Sequence, residues 1–254
     1  MRRLAVALIA LLALPVAVDA ATDPVVAASK RTAAAKSSTL QLSVTTTIPG
    51  QGRVVMSGTG ATRGTSVRLN LRTRAAGQSI RMDAILLSEG GRYVMYLRSP
   101  IFSAQLPPGK SWLRVDLSKQ SAQLGIDFSG LVNTSQTFAP LEKGLVSTTR
   151  VGPETVVGKP TTHYRVVVDV QRAARVLPEY RKQVDALQKA TGIRLGRMPY
   201  HVWIGSDGRI RRMRLSMPIA AGGVRGTSTQ TMTFLSFNGP VSIVAPPRTQ
   251  VVTP

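Results

Sequence analysis

The sequence predicts an α+β protein built on one antiparallel, incompletely closed sheet with helices laid over one face. Three observations carry this reading. Apolar and polar residues alternate with period two through most of the 254-residue chain. Clusters of Gly, Pro, Asp and Lys punctuate the alternation as turns between antiparallel neighbours. Three stretches of helical character break it: after residue 23, between residues 117 and 147, and over residues 177–192.

Met1-Arg2-Arg3 precedes an uncharged run over residues 4–18, closed by Ala20 and Ala21. This is the pattern of a secretory signal peptide cut after Ala20, so the expected organisation is a signal over 1–20, one domain over 21–247 and a tail over 248–254. A retained membrane anchor is the alternative, but the run is shorter than the roughly 20 apolar residues of a spanning helix. Asp23-Pro24 reads as a helix N-cap followed by proline at the first helical position, opening a short helix over 25–36.

From Thr39 the period becomes two. Leu40, Leu42 and Val44 alternate with Gln41, Ser43 and Thr45, and a turn at Pro49-Gly50 leads into a return strand over 54–60. Over 66–72, Val67, Leu69 and Leu71 oppose Arg68, Asn70 and Arg72, which is a sheet with one wet and one apolar face. Residues 80–87, 93–97 and 112–115 continue the meander. Between 117 and 147 the pattern is mixed and weakly helical, as in short helices joined by loops. Strands follow over 151–157 and 162–170, then a helix over 177–192 with Tyr180, Val184, Leu187 and Ala190 on one stripe. Strands over 200–204, 210–217, 227–237 and 241–244 complete the chain.

Residues 151–170 contain Gly158-Lys159-Pro160-Thr161-Thr162-His163-Tyr164-Arg165-Val166, and residues 200–217 contain Trp203-Ile204-Gly205-Ser206-Asp207-Gly208-Arg209-Ile210. Each is a hairpin with one apolar face, and together they flank a helix. That order, behind an export signal, resembles the LolA-like lipid carriers, and among them the actinobacterial LppX/LprG-like lipoproteins, over about residues 25–247. The resemblance implies a β half-barrel whose helices cover its concave face and enclose an apolar, lipid-binding cavity. It implies a lipid or glycolipid as ligand, donor and acceptor proteins in the envelope, and no chemistry. The chain departs from that branch in having no cysteine, so the lipid-acceptor residue is missing and a soluble, exported monomer is expected.

The apolar strand faces place the cavity wall at Leu69, Leu71, Met82, Leu86, Met95, Met213 and Leu215, with Leu124, Ile126 and Leu131 of the helical insert as its lid. Met56, Met217 and Met232 also fall on strands; methionine suits both a cavity that adapts to acyl chains and ordinary core filling. Arg209, Arg211, Arg212 and Arg214 follow the Asp207-Gly208 turn. They are the candidates for a headgroup or an anionic membrane surface, against the plainer reading of a solvated strand that deters edge pairing.

The formal charge is +21, with 25 arginines, which points to anionic partners. Nucleic acid is not expected, because aromatic residues make up only 5% of the chain. The two histidines, His163 and His201, are read as surface or half-buried strand residues. No metal-ligand spacing, cofactor motif, Gly-x-Ser-x-Gly elbow or Ser-x-x-Lys pair occurs, so no enzyme is expected. The rival to a lipid carrier is an envelope-associated structural or interaction protein whose basic surface binds acidic wall polymer or membrane.

Overall fold

A computed structural model describes residues 23–50, 52–90, 92–103, 105–117, 134–221 and 224–253. The elements are α1 (Pro24–Ala33), β1 (Ser37–Ile48), β2 (Gly52–Arg63), β3 (Ser66–Ala75), β4 (Gln78–Glu89), β5 (Arg92–Arg98), α2 (Pro100–Ser103) and β6 (Trp112–Asp116). They continue with α3 (Thr134–Lys143), β7 (Leu145–Val156), β8 (Lys159–Asp169), α4 (Val170–Val176), α5 (Pro178–Thr191), β9 (Arg197–Gly205), β10 (Ile210–Ala221), β11 (Val224–Phe237) and β12 (Val251–Val252). All strands belong to one sheet in the order β12-β6-β5-β4-β3-β2-β1-β11-β10-β9-β8-β7. It is two antiparallel meanders joined along β1 and β11, with β7 and β12 at its edges, so the sheet is open as expected.

The helices follow from local chemistry. Asp23 caps α1: its Oδ1 accepts from the backbone N–H of Val25 at 2.8 Å and of Val26 at 3.2 Å. Thr32 ties the other end of α1 to the sheet, its Oγ1 accepting from the Ile210 N–H at 2.9 Å. Asp169 ends β8 by capping α4, accepting from the Arg172 N–H at 2.8 Å. The expected strand therefore stops one residue before Val170. Leu177 is extended at φ −121° and ψ 94° because a proline follows it; it separates α5, the helix expected over 177–192, from α4, which the sequence pattern does not mark as a helix. Gly192 at φ 66° closes α5.

Two turns set the hairpins. Val157 and Gly158 both have positive φ, 49° and 72°, the backbone of a two-residue hairpin turn, in which a β-branched residue is uncommon. Beyond the Asp207-Gly208 turn, the register shifts between Ile210, paired with Ile204, and Arg212, paired with Trp203. This bulge sends Ile210 under α1, fully buried, and Arg212 to the other face.

The main core lies between the sheet and α1, α3, α4 and α5, and includes Val25, Phe138, Leu141, Val166, Val168, Val184, Val202 and Phe234. The predicted stripe of α5 is partly met: Val184 is buried, and Tyr180 and Leu187 pack against this core. A second cluster sits on the opposite face, where Ile243 and Val241 pack against Ala61, Ile85, Val94, Tyr96 and Trp112. The strand expected over 241–244 is thus an irregular strap over the outer surface. Residues 248–252, expected as a tail, form a turn at Arg248–Gln250 and the short edge strand β12, paired parallel with β6.

Candidate functional site

Register brings the predicted wall residues to one face. One row across six strands reads Met213, Met232, Leu42, Gly58, Leu71 and Met82. Leu215 pairs with Gln230 one row along, and Leu69 pairs with Gly60. Over β1, β9, β10 and β11 the helices roof this face and leave a cavity of about 190 Å³. Its walls include Leu42, Val44, Met213, Leu215 and Met232 from the sheet, Pro140 and Leu141 from α3, and Tyr180 from α5. Tyr180 and Tyr200 both line it, and burial raises the pKa of both hydroxyls, keeping them neutral.

The predicted wall therefore divides. Met213 and Leu215 line the cavity, whereas Leu69, Leu71 and Met82 share its face but lie beyond the part roofed by the described helices. Leu86 is 6% exposed and packs with Val115 and Leu117, and Met95 packs against that cluster, so these two are core rather than cavity wall. An apolar strand face is common to both situations; only the position of the helices separates them. Leu124, Ile126 and Leu131 lie outside the described residues.

The four arginines also divide. Arg209 and Arg211 pair with Asp207 at 3.2 and 2.7 Å and lie over the Phe237 ring, and the Arg211 side chain is only 11% exposed. Arg212 and Arg214 lie over Trp203, both 5.6 Å from the ring centroid, and Arg212 Nε donates to Thr233 Oγ1 at 3.2 Å. Strand alternation puts these two across the sheet from Met213 and Leu215, so they do not border the cavity. The four candidates thus form two pairs, one over Phe237 and one over Trp203.

Sequence reasoning missed a polar network on the outer face of β7–β9. Glu154 accepts from Trp203 Nε1 at 2.6 Å and from His163 Nδ1 at 2.8 Å, and His163 Nε2 lies 2.9 Å from His201 Nδ1. The His163 and Trp203 rings stack at 4.3 Å, and His163 is 6% exposed rather than half-buried. The pairing of His163 with Trp203 was available only once β8 was known to neighbour β9. Among the described residues, no group of three His, Cys, Asp or Glu could hold a metal.

This network makes stability pH-dependent. Hydrogen bonding from Trp203 holds the Glu154 carboxyl below its ordinary value, against partial desolvation and with help from His163. Burial, then the charges of Arg214, His163 and Arg165, push His201 down. A depressed histidine leaves the unfolded chain to take up the proton first, so stability falls as pH drops below about 6.5, the ordinary histidine value. The Glu154 contribution is present above the ordinary carboxylate range and is lost as pH falls through its lowered folded value. Both slopes have the same sign. The melting temperature is expected to fall from pH 7 to 5, and His201→Gln to flatten that fall; an unchanged slope in thermal denaturation would show that His201 does not carry it.

The molecule is thus an open antiparallel sheet with helices over one face and an apolar cavity between them. No family model and no curated protein matches the chain. Among solved structures it is similar to LprF from Mycobacterium bovis, with 15% identity over 88% of this chain and 95% of that one, at a TM-score of 0.49. It is also similar to the lipoprotein LppX from Mycobacterium tuberculosis, with 16% identity over 88% and 100% of the two chains, at 0.45. A LolA superfamily protein from Nitrosomonas europaea shows 9% identity over 84% and 92%, at 0.27. These likenesses concern the path of the chain and assign no ligand.

Proposed function

We propose that this is an exported, non-enzymatic binding protein that shields the acyl chain of a lipid or lipoglycan from water. The observation that carries the reading is the 190 Å³ cavity between the sheet and helices α3 and α5, walled mainly by aliphatic and thioether side chains. It is smaller than the roughly 300–1,000 Å³ of pockets for drug-sized ligands, so it accommodates a segment of a chain. The remaining length would follow the apolar row over Gly58 to Leu71 and Met82. Burial contributes about 25 cal/mol per Å² of chain surface, and no polar contact is needed for retention. Met213 and Met232, paired across β10 and β11, supply side chains that adapt to the chain's shape. No helix among the described residues is long and apolar enough to cross a membrane.

Native mass spectrometry of protein purified from its own host, followed by organic extraction, tests this. Recovery of an acyl lipid near one per chain is expected. Protein that emerges without lipid, and that fails to take up a fluorescent fatty acid added afterwards, would overturn the reading.

A further inference from the structure

We infer that the outer face of the sheet is a second binding surface, for an extended acidic polysaccharide. One cross-strand row on that face reads Arg81, Arg72, Ser57, Ser43, Thr231 and Arg214. It continues through His201 to Arg165. Two banks of arginine therefore border a floor of short hydroxyl side chains. Four strand spacings separate Arg72 from Arg214, on the order of 20 Å at roughly 4.8 Å each.

The floor is recessed. A trough of about 490 Å³ runs past Ser57, Thr59, Asn70, Arg72 and Arg81, and a neighbouring one of about 340 Å³ runs past Gln41, Ser43, Thr231 and Thr233. The two share Ser57, Gly58 and Thr59, so they form one continuous depression that runs from Arg72 and Arg81 to Thr231, the cross-strand neighbour of Arg214.

Among the described residues, Arg72, Arg81, Arg165 and Arg214 form no ion pair within 4.0 Å. Arg72 and Arg81 face each other directly across β3 and β4, a like-charge placement that disfavours folding. Asp83 lines the trough but is already held by Arg98 at 2.6 Å and Asn70 at 2.8 Å, and Glu154 is held by His163 and Trp203. An anion spanning the banks would relieve the repulsion through forked guanidinium hydrogen bonds.

The floor selects the class of anion. Serine and threonine hydroxyls match the hydroxyl groups of a sugar chain, whereas a bilayer-docking face would present aliphatic or aromatic side chains for insertion. A nucleic acid would need exposed rings for stacking, and Trp203 is 3% exposed beneath its arginines. The surface lies across the sheet from the cavity, so the inference does not rest on lipid binding.

Binding to immobilised polygalacturonate, with dextran as the neutral reference, tests it. Wild type is expected to bind polygalacturonate and to ignore dextran. R72Q with R81Q, and R165Q with R214Q, are each expected to weaken binding at least tenfold. R175Q with R194Q, which removes the same charge on the helix-covered side, is expected to weaken it less than twofold. Equal loss in all three pairs would overturn the site in favour of diffuse charge. Binding to phosphatidylglycerol vesicles without binding to polygalacturonate would overturn the polysaccharide. Thermal denaturation accompanies each variant; should R72Q with R81Q fail to fold, the R165Q and R214Q pair decides the outcome by the same criteria.

Discussion

Met213→Glu is expected to lower the lipid recovered per mole of protein at least tenfold, while Met213→Leu stays near wild type. Met213 sits mid-strand on the cavity wall beside Met232, with Leu42 next in the same row. A carboxylate there has no cation on its own face within the row, and burying it against an acyl chain costs several kcal/mol. The site would stay wet instead. Its neighbours Arg212 and Arg214 point to the other face, so polyanion binding by Met213→Glu should equal that of wild type. Leu71→Glu discriminates further, because Leu71 shares the row but lies outside the part roofed by the described helices. A reduced yield of bound lipid in that variant would place the rest of the chain over β2 and β3. Full lipid retention by Met213→Glu, measured by extraction of folded protein, would remove the cavity from the mechanism.

Phe138→Ala is expected to produce the largest loss of stability among single substitutions of the roof. Phe138 is 2% exposed, and its ring centroid lies 6.1 Å from that of Phe234 on β11, so it pins α3 to the middle of the sheet. Truncating a buried phenylalanine costs about 3–5 kcal/mol, which in a domain of this size lowers the melting temperature by on the order of 10 °C. Phe138→Leu should recover most of that loss by refilling the volume. A shift below about 2 °C for the alanine variant would mean that α3 does not close the core, and the cavity roof would then need another source.

Much of this architecture was legible in the residues themselves. The Asp23-Pro24 cap, the hairpins turning at Gly158 and Gly208, and the shared face of Leu71, Met82, Met213 and Leu215 all follow from dihedral preference and period two, which are local properties. Alternation says which side chains share a face. It does not say what covers that face, and this is why Leu86 and Met95 read like Met213 although they are packed into a separate core. Likewise Val241 and Ile243 carry a strand-like pattern, but they serve as a strap because the outer surface of β4 and β5 offers them an apolar seat.

Only the tertiary structure decided which strands meet. The seam of β1 with β11 joins residues nearly two hundred positions apart, and it alone places the arginines of β3 and β4 in one row with Arg214. The pairing of β8 with β9 likewise brings His163 against Trp203 and, through Glu154, assembles a network that neither hairpin contains by itself. Long-range pairing is chosen by the burial it achieves for the whole sheet, a sum over many contacts that no single stretch of sequence encodes.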